Sequence, residues 1–298
     1  MPSPLLARSL PTLADRLAWA TLRAQGYLSR FVDTSAGRVH ALDVRGNGPL
    51  PPVVLLHGFS SAGVHYFGLL RRLRDQTRRL VALDLPGHGF SELPEVGLDA
   101  TSLSHGLIEA LDHLIGEPVV LFGNSMGGMA AVRYAGLRPE VVRALVLVSP
   151  GGAPMSPAEL DRFRASFALR NHAEALEFVD RLLDRPTRLR TLLAWGIRER
   201  FHRAAMRDLI ASLRPQDLLV PSELARIDCP TLLLWGNRDR ILPATGLDFF
   251  RDALPPHAWI EEPEGWGHSP YLERPDEVAA WVLRFLEIVD RKEARDAV

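Results

Sequence analysis

Val119-Val120-Leu121-Phe122-Gly123-Asn124-Ser125-Met126-Gly127-Gly128-Met129-Ala130 is the stretch whose reading decides the fold. Its first four residues form an apolar run of strand length. From Met126 to Leu137 the pattern changes to helical period, so Gly123 to Ser125 must turn the chain sharply from strand to helix. Such a turn holds Ser125 in a strained backbone geometry and brings the residues two before and two after it together, which requires both to be small. Gly123 and Gly127 meet that need. The turn lifts the serine hydroxyl to the end of the strand. It also aims the free amides of the next helix at any negative charge that develops there. A G-x-S-x-G alone occurs by chance; between a strand and a helix it carries a mechanism.

Outward from this turn, short apolar runs recur at Val53 to Leu56, Leu80 to Leu83, Leu145 to Val148 and Thr231 to Trp235. Runs with so few polar interruptions fit strands buried on both faces of a parallel sheet. Helical stretches at Val64 to Asp75, Thr101 to Ile115 and Met126 to Leu137 alternate with them, and after Thr231 come a helix near Ala244 to Ala253, a strand near Trp259 and a helix from Pro275 to Val289. This is the order of a doubly wound α/β fold with a mostly parallel sheet, whose chemistry is expected at the carboxyl ends of the strands. Residues 30 to 45 alternate around Ser35-Ala36-Gly37 and predict an antiparallel hairpin ahead of it. The expected division is a core of residues 30–153 and 225–298, a helical cap over 154–224, where no strand pattern is found, and a helical extension over 1–29.

In that extension Leu6, Leu10, Leu13, Leu17 and Leu28 recur near helical spacing among Arg8, Asp15, Arg16 and Arg23. The pattern predicts an amphipathic helix packed on the domain or on a second subunit, with peripheral contact to a membrane surface as the alternative. The charges leave no continuous apolar segment long enough to span a bilayer. None of the candidate catalytic residues falls there, so the site is expected to assemble without it.

The 298 residues carry a formal net charge of −1, which lacks the positive excess that nucleic-acid backbones attract. Nucleic acid is therefore not an expected partner. Lys292 is the sole lysine, and the resulting wealth of arginine is given no functional weight. The single cysteine, Cys229, excludes an internal disulfide, precedes an apolar run as a buried packing residue would, and makes the cytoplasm the expected location.

A serine hydroxyl becomes a nucleophile only when a base takes its proton, and the base needs an anion to fix its tautomer. Trp235-Gly236-Asn237-Arg238-Asp239 follows one strand and Gly265-Trp266-Gly267-His268 follows the last, so both offer their groups at carboxyl-terminal strand ends. Asp228 precedes its strand, and the run ending at Val148 leads into Ser149-Pro150-Gly151 with no carboxylate. Of ten histidines, His88 sits in a glycine turn and His65, His105, His113, His172 and His202 fall in helical stretches. The candidates are thus Ser125 as nucleophile, His268 as base and Asp239 as orienting acid, in the chain order this arrangement demands. In His57-Gly58-Phe59-Ser60, the backbone N–H of Phe59 would meet that of Met126 as a pair of oxyanion donors. His57 is read as a structural loop residue, and Asp84 to Ser91 as a turn.

His57-Gly58-Phe59, Asp84-Leu85-Pro86-Gly87-His88-Gly89, the serine turn, Gly236-x-x-Asp239 and Gly267-His268 with Glu273-x-Pro275 together resemble the α/β-hydrolase superfamily over about residues 30 to 290. The resemblance implies a carboxylic-ester hydrolase working through an acyl-enzyme on Ser125, with no metal or organic cofactor and a small ester as its partner. Haloalkane dehalogenases and epoxide hydrolases resemble the chain around the oxyanion loop but place aspartate where Ser125 stands. Gly-Asn-Ser-Met-Gly-Gly is similar to the turn of carbon–carbon hydrolases that act on 2-hydroxy-6-oxo-dienoates. The His-Gly-Phe-Ser start and N-terminal extension are similar to monoacylglycerol lipases. A binding protein without activity would have no need of an intact triad. Phe163, Phe167, Leu169, Phe178, Leu182, Leu183, Leu192, Leu193 and Trp195 could roof an apolar acyl pocket. Arg190 and Arg198 are the arginines in the stretch where the carbon–carbon hydrolases commonly anchor a carboxylate.

Overall fold

The computed structural model describes residues 12–95, 97–185 and 187–296; Leu6 and Leu10 of the leucine pattern lie outside them. Eight strands form one sheet: β1 Leu28–Thr34, β2 Gly37–Arg45, β3 Val53–Leu56, β4 Arg79–Leu83, β5 Val119–Ser125, β6 Val142–Pro150, β7 Thr231–Leu234 and β8 Trp259–Glu261. Their spatial order is β1-β2-β4-β3-β5-β6-β7-β8. The β1–β2 hairpin joins the edge antiparallel, and every pairing from β4 through β3 to β8 is parallel. The α/β fold class expected from the alternation is the one observed.

Strand residues alternate between two cores, as the two-residue repeat of a strand requires. Val54, Leu56, Val119 and Leu121 face a core built with α3 Ala100–Leu114, α4 Met126–Leu137 and α10 Thr245–Ala253. Val53, Leu55, Val120 and Phe122 face a second core with α1 Leu13–Ala24, α2 Phe67–Leu73 and α11 Pro275–Asp296. Cys229 is half-buried against the first core, in the packing position expected of it.

Between β6 and β7 run α5 Pro157–Ala165, α6 His172–Leu182, α7 Arg190–Phe201, α8 Ala204–Ser212 and α9 Pro221–Leu224. The first three have an apolar core of their own, in which Phe167, Phe178, Ile197 and Phe201 are buried together. Among the described residues no helix is long and apolar enough to cross a membrane.

Three local readings change. Leu28 opens β1, paired with Asp43, instead of continuing the N-terminal helix, which stops at Ala24. The helix expected from Val64 to Asp75 is a 3-10 turn, Gly63–Tyr66, followed by the short α2. The tighter turn lets the Gly63 amide donate to Asp84 Oδ1 at 2.6 Å and the Tyr66 hydroxyl to Leu56 O at 2.9 Å. Strand β5 runs on to Ser125 because its partner β6 also runs on, to Pro150.

Candidate active site

Ser125 has φ 53° and ψ −122°, an unfavourable geometry for a side chain that is held by close packing on both sides. A Cβ on Gly123 would come within 2.5 Å of Gly127 O, and one on Gly127 within 2.1 Å of Leu56 O. Only glycine fits at either position. Behind the turn, the Asn124 side-chain amide donates at 2.9 Å to both Val148 O and His268 O. One side chain therefore ties the serine turn to the neighbouring strand and to the histidine loop.

Asp239, in the loop after β7, accepts the His268 Nδ1–H on Oδ2 at 2.7 Å. Its Oδ1 accepts the amides of Ile241 at 2.8 Å and Leu242 at 3.1 Å. Burial opposes its ionisation, but the charge and hydrogen bond of His268 and the two amides outweigh burial and hold the carboxyl below its usual range. The carboxylate thereby holds a proton on His268 Nδ1, so that the neutral form of the ring carries its lone pair on Nε2. The backbone is fixed too: His268 N donates to Leu182 O at 3.0 Å, at the end of α6. A Cβ on Gly267 would lie 2.7 Å from that same carbonyl, so a glycine is needed before the histidine.

The loop after β3 packs directly on the serine, since a Cβ on Gly58 would lie 3.0 Å from Ser125 Cβ. Phe59 follows, and Met126 opens α4, so the two residues whose backbone N–H groups were named from the sequence both line the cavity at Ser125. His57 is fully buried, donates from Nδ1 to Gly58 O at 2.8 Å and accepts the Leu85 amide on Nε2 at 3.0 Å. Burial and the nearby His88 push its pKa down to about 3, so it is a neutral loop brace. Asp84 is spent on structure as well, accepting from His40, Gly63 and Phe90.

Ser125, Met126, Phe59 and His268 open onto one cavity of about 210 Å³. Phe163, Phe167, Phe178, Leu182 and Leu193 from the inserted helices line it. Leu169 and Leu183 pack in the core of those helices instead, while Leu192 and Trp195 are exposed. Of the two arginines singled out in the sequence, Arg190 is spent on Asp180 and Arg198 is not part of the cavity wall. Arg200 and Arg133 line the cavity in their place. In so arginine-rich a chain nothing in the sequence marked either one.

The model of a family described as the alpha/beta hydrolase family matches residues 53–281. The chain belongs to that family. Among curated relatives, this hydrolase is 28% identical to human monoacylglycerol lipase ABHD6, over 81% of the chain and 77% of the relative. It is 30% identical to the pimeloyl-[acyl-carrier protein] methyl ester esterase of Xanthomonas campestris pv. campestris, over 82% of the chain and 98% of the relative. Among solved structures, a bacterial membrane phospholipase A superposes with a TM-score of 0.79 at 27% identity, covering 93% of both chains. The 2-hydroxy-6-oxo-6-phenylhexa-2,4-dienoate hydrolase of a Rhodococcus strain shares the fold, with a TM-score of 0.76 at 24% identity over 88% of this chain and 99% of that one.

Proposed function

We propose that the hydrolase cleaves carboxylic esters with apolar acyl groups, using Ser125 as nucleophile, His268 as general base and acid, and Asp239 to orient the histidine. The observation that carries this reading is the 2.7 Å Asp239–His268 bond beside Ser125 on a largely apolar cavity. In the reaction, His268 Nε2 takes the Ser125 proton as Oγ attacks the ester carbonyl, and the Phe59 and Met126 amides stabilise the oxyanion. Collapse of the tetrahedral intermediate passes the proton from Nε2 to the departing alcohol. Water, deprotonated by the same nitrogen, then releases the acid and restores Ser125. The lipase and esterase names of the relatives support this substrate class.

Residues 154–224 are proposed as a cap, since their phenylalanines roof the cavity and Leu182 holds the His268 backbone. Helix α1 buries Leu22 in the core and leaves Leu13 and Leu17 exposed. That split supports packing on the domain through one face, with peripheral lipid contact through the other; co-sedimentation with vesicles tests the latter.

The deciding experiment is turnover of p-nitrophenyl esters of increasing chain length by the parent and by Ser125→Ala. A folded variant slowed by roughly four orders of magnitude or more, together with fluorophosphonate labelling of the parent at Ser125, is the expected result. Labelling at another serine overturns the assignment.

A further inference from the structure

Helix α1 reaches the loop beside Ser125 through a chain of side chains. Asp15, one turn into α1 and buried, accepts from His65 Nε2 on Oδ1 at 2.8 Å. Its Oδ2 accepts the Thr12 amide at 2.8 Å and lies 3.5 Å from the Arg200 guanidinium. His65 Nδ1 lies 2.8 Å from Ser61 Oγ. With Nε2–H committed to the carboxylate, Nδ1 is the acceptor and the Ser61 hydroxyl the donor. The Ser61 amide donates to Gly58 O at 3.1 Å, closing the turn that carries Phe59 and Ser60.

That turn is strained. Ser60 has φ 57°, a region that favours glycine, and its buried hydroxyl has no partner. Such a conformation costs on the order of 1–3 kcal/mol and persists only where the surroundings hold it. His57 braces the loop from inside, and the Asp15–His65–Ser61 chain braces it from outside.

We propose that Asp15, acting through His65 and Ser61, sets the position of the Phe59 amide. The proposal rests on the reading of Ser125 as nucleophile. Asp15 and His65 are positioning residues. Burial opposes ionisation of Asp15, but the hydrogen bond from His65, the charge of Arg200 and the Thr12 amide outweigh it and hold the carboxyl well below its usual range.

An oxyanion donor acts on charge that exists only in the transition state, so its misplacement lowers kcat more than it changes KM. Removing such a donor outright costs roughly a hundredfold or more, and loosening it should cost less, about tenfold. The test compares Asp15→Asn, His65→Ala, the double variant and Leu22→Ala on p-nitrophenyl butyrate, with thermal melts alongside. Leu22 is buried on the same helix but packs in the core. Each single relay variant should lower kcat about tenfold with KM within about twofold, and the double should fall no further, because the residues act as one unit. Leu22→Ala should melt earlier with the kcat of the folded protein unchanged. Unchanged kcat in a folded Asp15→Asn, additive losses, or an equal loss in Leu22→Ala each overturn the proposal. Should the Asp15 variants not fold, Ser61→Ala carries the same expectation and the same refutation. Full activity of Ser125→Ala in this assay sinks the underlying reading. An inactive Ser125→Ala beside a normal Asp15→Asn sinks the relay alone.

Discussion

Asp239 holds His268 by a single 2.7 Å hydrogen bond on one carboxylate oxygen while two backbone amides occupy the other. The carboxylate therefore cannot rotate to release the histidine without breaking three bonds. Asp239→Asn should lower kcat by several orders of magnitude, because the amide can hold the wrong tautomer and cannot stabilise the imidazolium. Asp228→Asn, at an exposed position before β7, should leave kcat near that of the parent. Stability provides a second measurement. The folded-state pKa of Asp239 is depressed, so its contribution is present above the ordinary value of 3.8 and is lost as pH falls through the folded value. Urea melts should show parent and Asp239→Asn diverging at neutral pH and converging below about pH 4. A gap that persists unchanged into acid would refute this account.

At Ser125 the proposed catalytic role and the backbone make opposite demands, since its φ of 53° belongs to glycine. Ser125→Gly should abolish turnover while relieving strain on the order of 1–3 kcal/mol. At about 2 °C or more per kcal/mol for a chain of this size, calorimetry should find a melting point raised by a few degrees. A lowered melting point would mean that the turn carries no strain.

Two buried histidines predict how the fold fails in acid. Burial pushes His57 down to about 3 and His88 to about 4, so the unfolded chain takes up protons near 6.5 while the folded one resists. Stability should then decline as pH drops from about 6.5 toward 4, by a few kcal/mol in total. His88→Asn should flatten that decline in denaturant titrations across the interval. An unaltered slope would locate the acid sensitivity elsewhere.

Substrate choice follows from what the cavity wall offers. Phe59 lies edge-on to Phe167 at 5.2 Å between ring centres, and the charge of Arg200 is already met by Asp15. Arg133, the other arginine on the cavity wall, is paired with Glu223, so an acidic dienoate meets two cations that are already compensated, whereas an uncharged ester needs only the oxyanion donors and an apolar slot. The ratio of kcat/KM for a short- or medium-chain p-nitrophenyl ester over a 2-hydroxy-6-oxo-dienoate should be at least about tenfold, roughly 1.4 kcal/mol in transition-state binding. Steady-state rates on both at one pH decide it, and preference for the dienoate would favour carbon–carbon hydrolysis.

Local chemistry made the sheet and the candidate triad residues legible. Val53 to Leu56 stands in the structure with the limits read from its apolar run, because a strand buried on both faces leaves no polar residue to blur its ends. Ser125 ends β5, and Asp239 and His268 lie in the loops that follow β7 and β8, so strand order places all three at the carboxyl edge of the sheet. What escaped the sequence depends on tertiary partners. Arg200 looks like its many arginine neighbours until Asp15 is placed 3.5 Å away. His65 reads as a helical surface residue because its two hydrogen bonds run to Ser61 and to a residue fifty positions earlier. Leu192 and Trp195 share the apolar pattern of their neighbours, and only the packing of α7 shows that they point outward.

The bond from the Asn124 side chain to the carbonyl of His268 spans 144 residues of sequence. During synthesis at about 5–20 residues per second, that separation leaves the nascent Ser125 without His268, its proposed base, for roughly 7 to 30 s. Until the last strand emerges and the histidine loop closes onto Asn124, the growing chain carries a harmless hydroxyl. Under the proposed mechanism, hydrolytic power is withheld from every incomplete product of the ribosome that stops short of that loop.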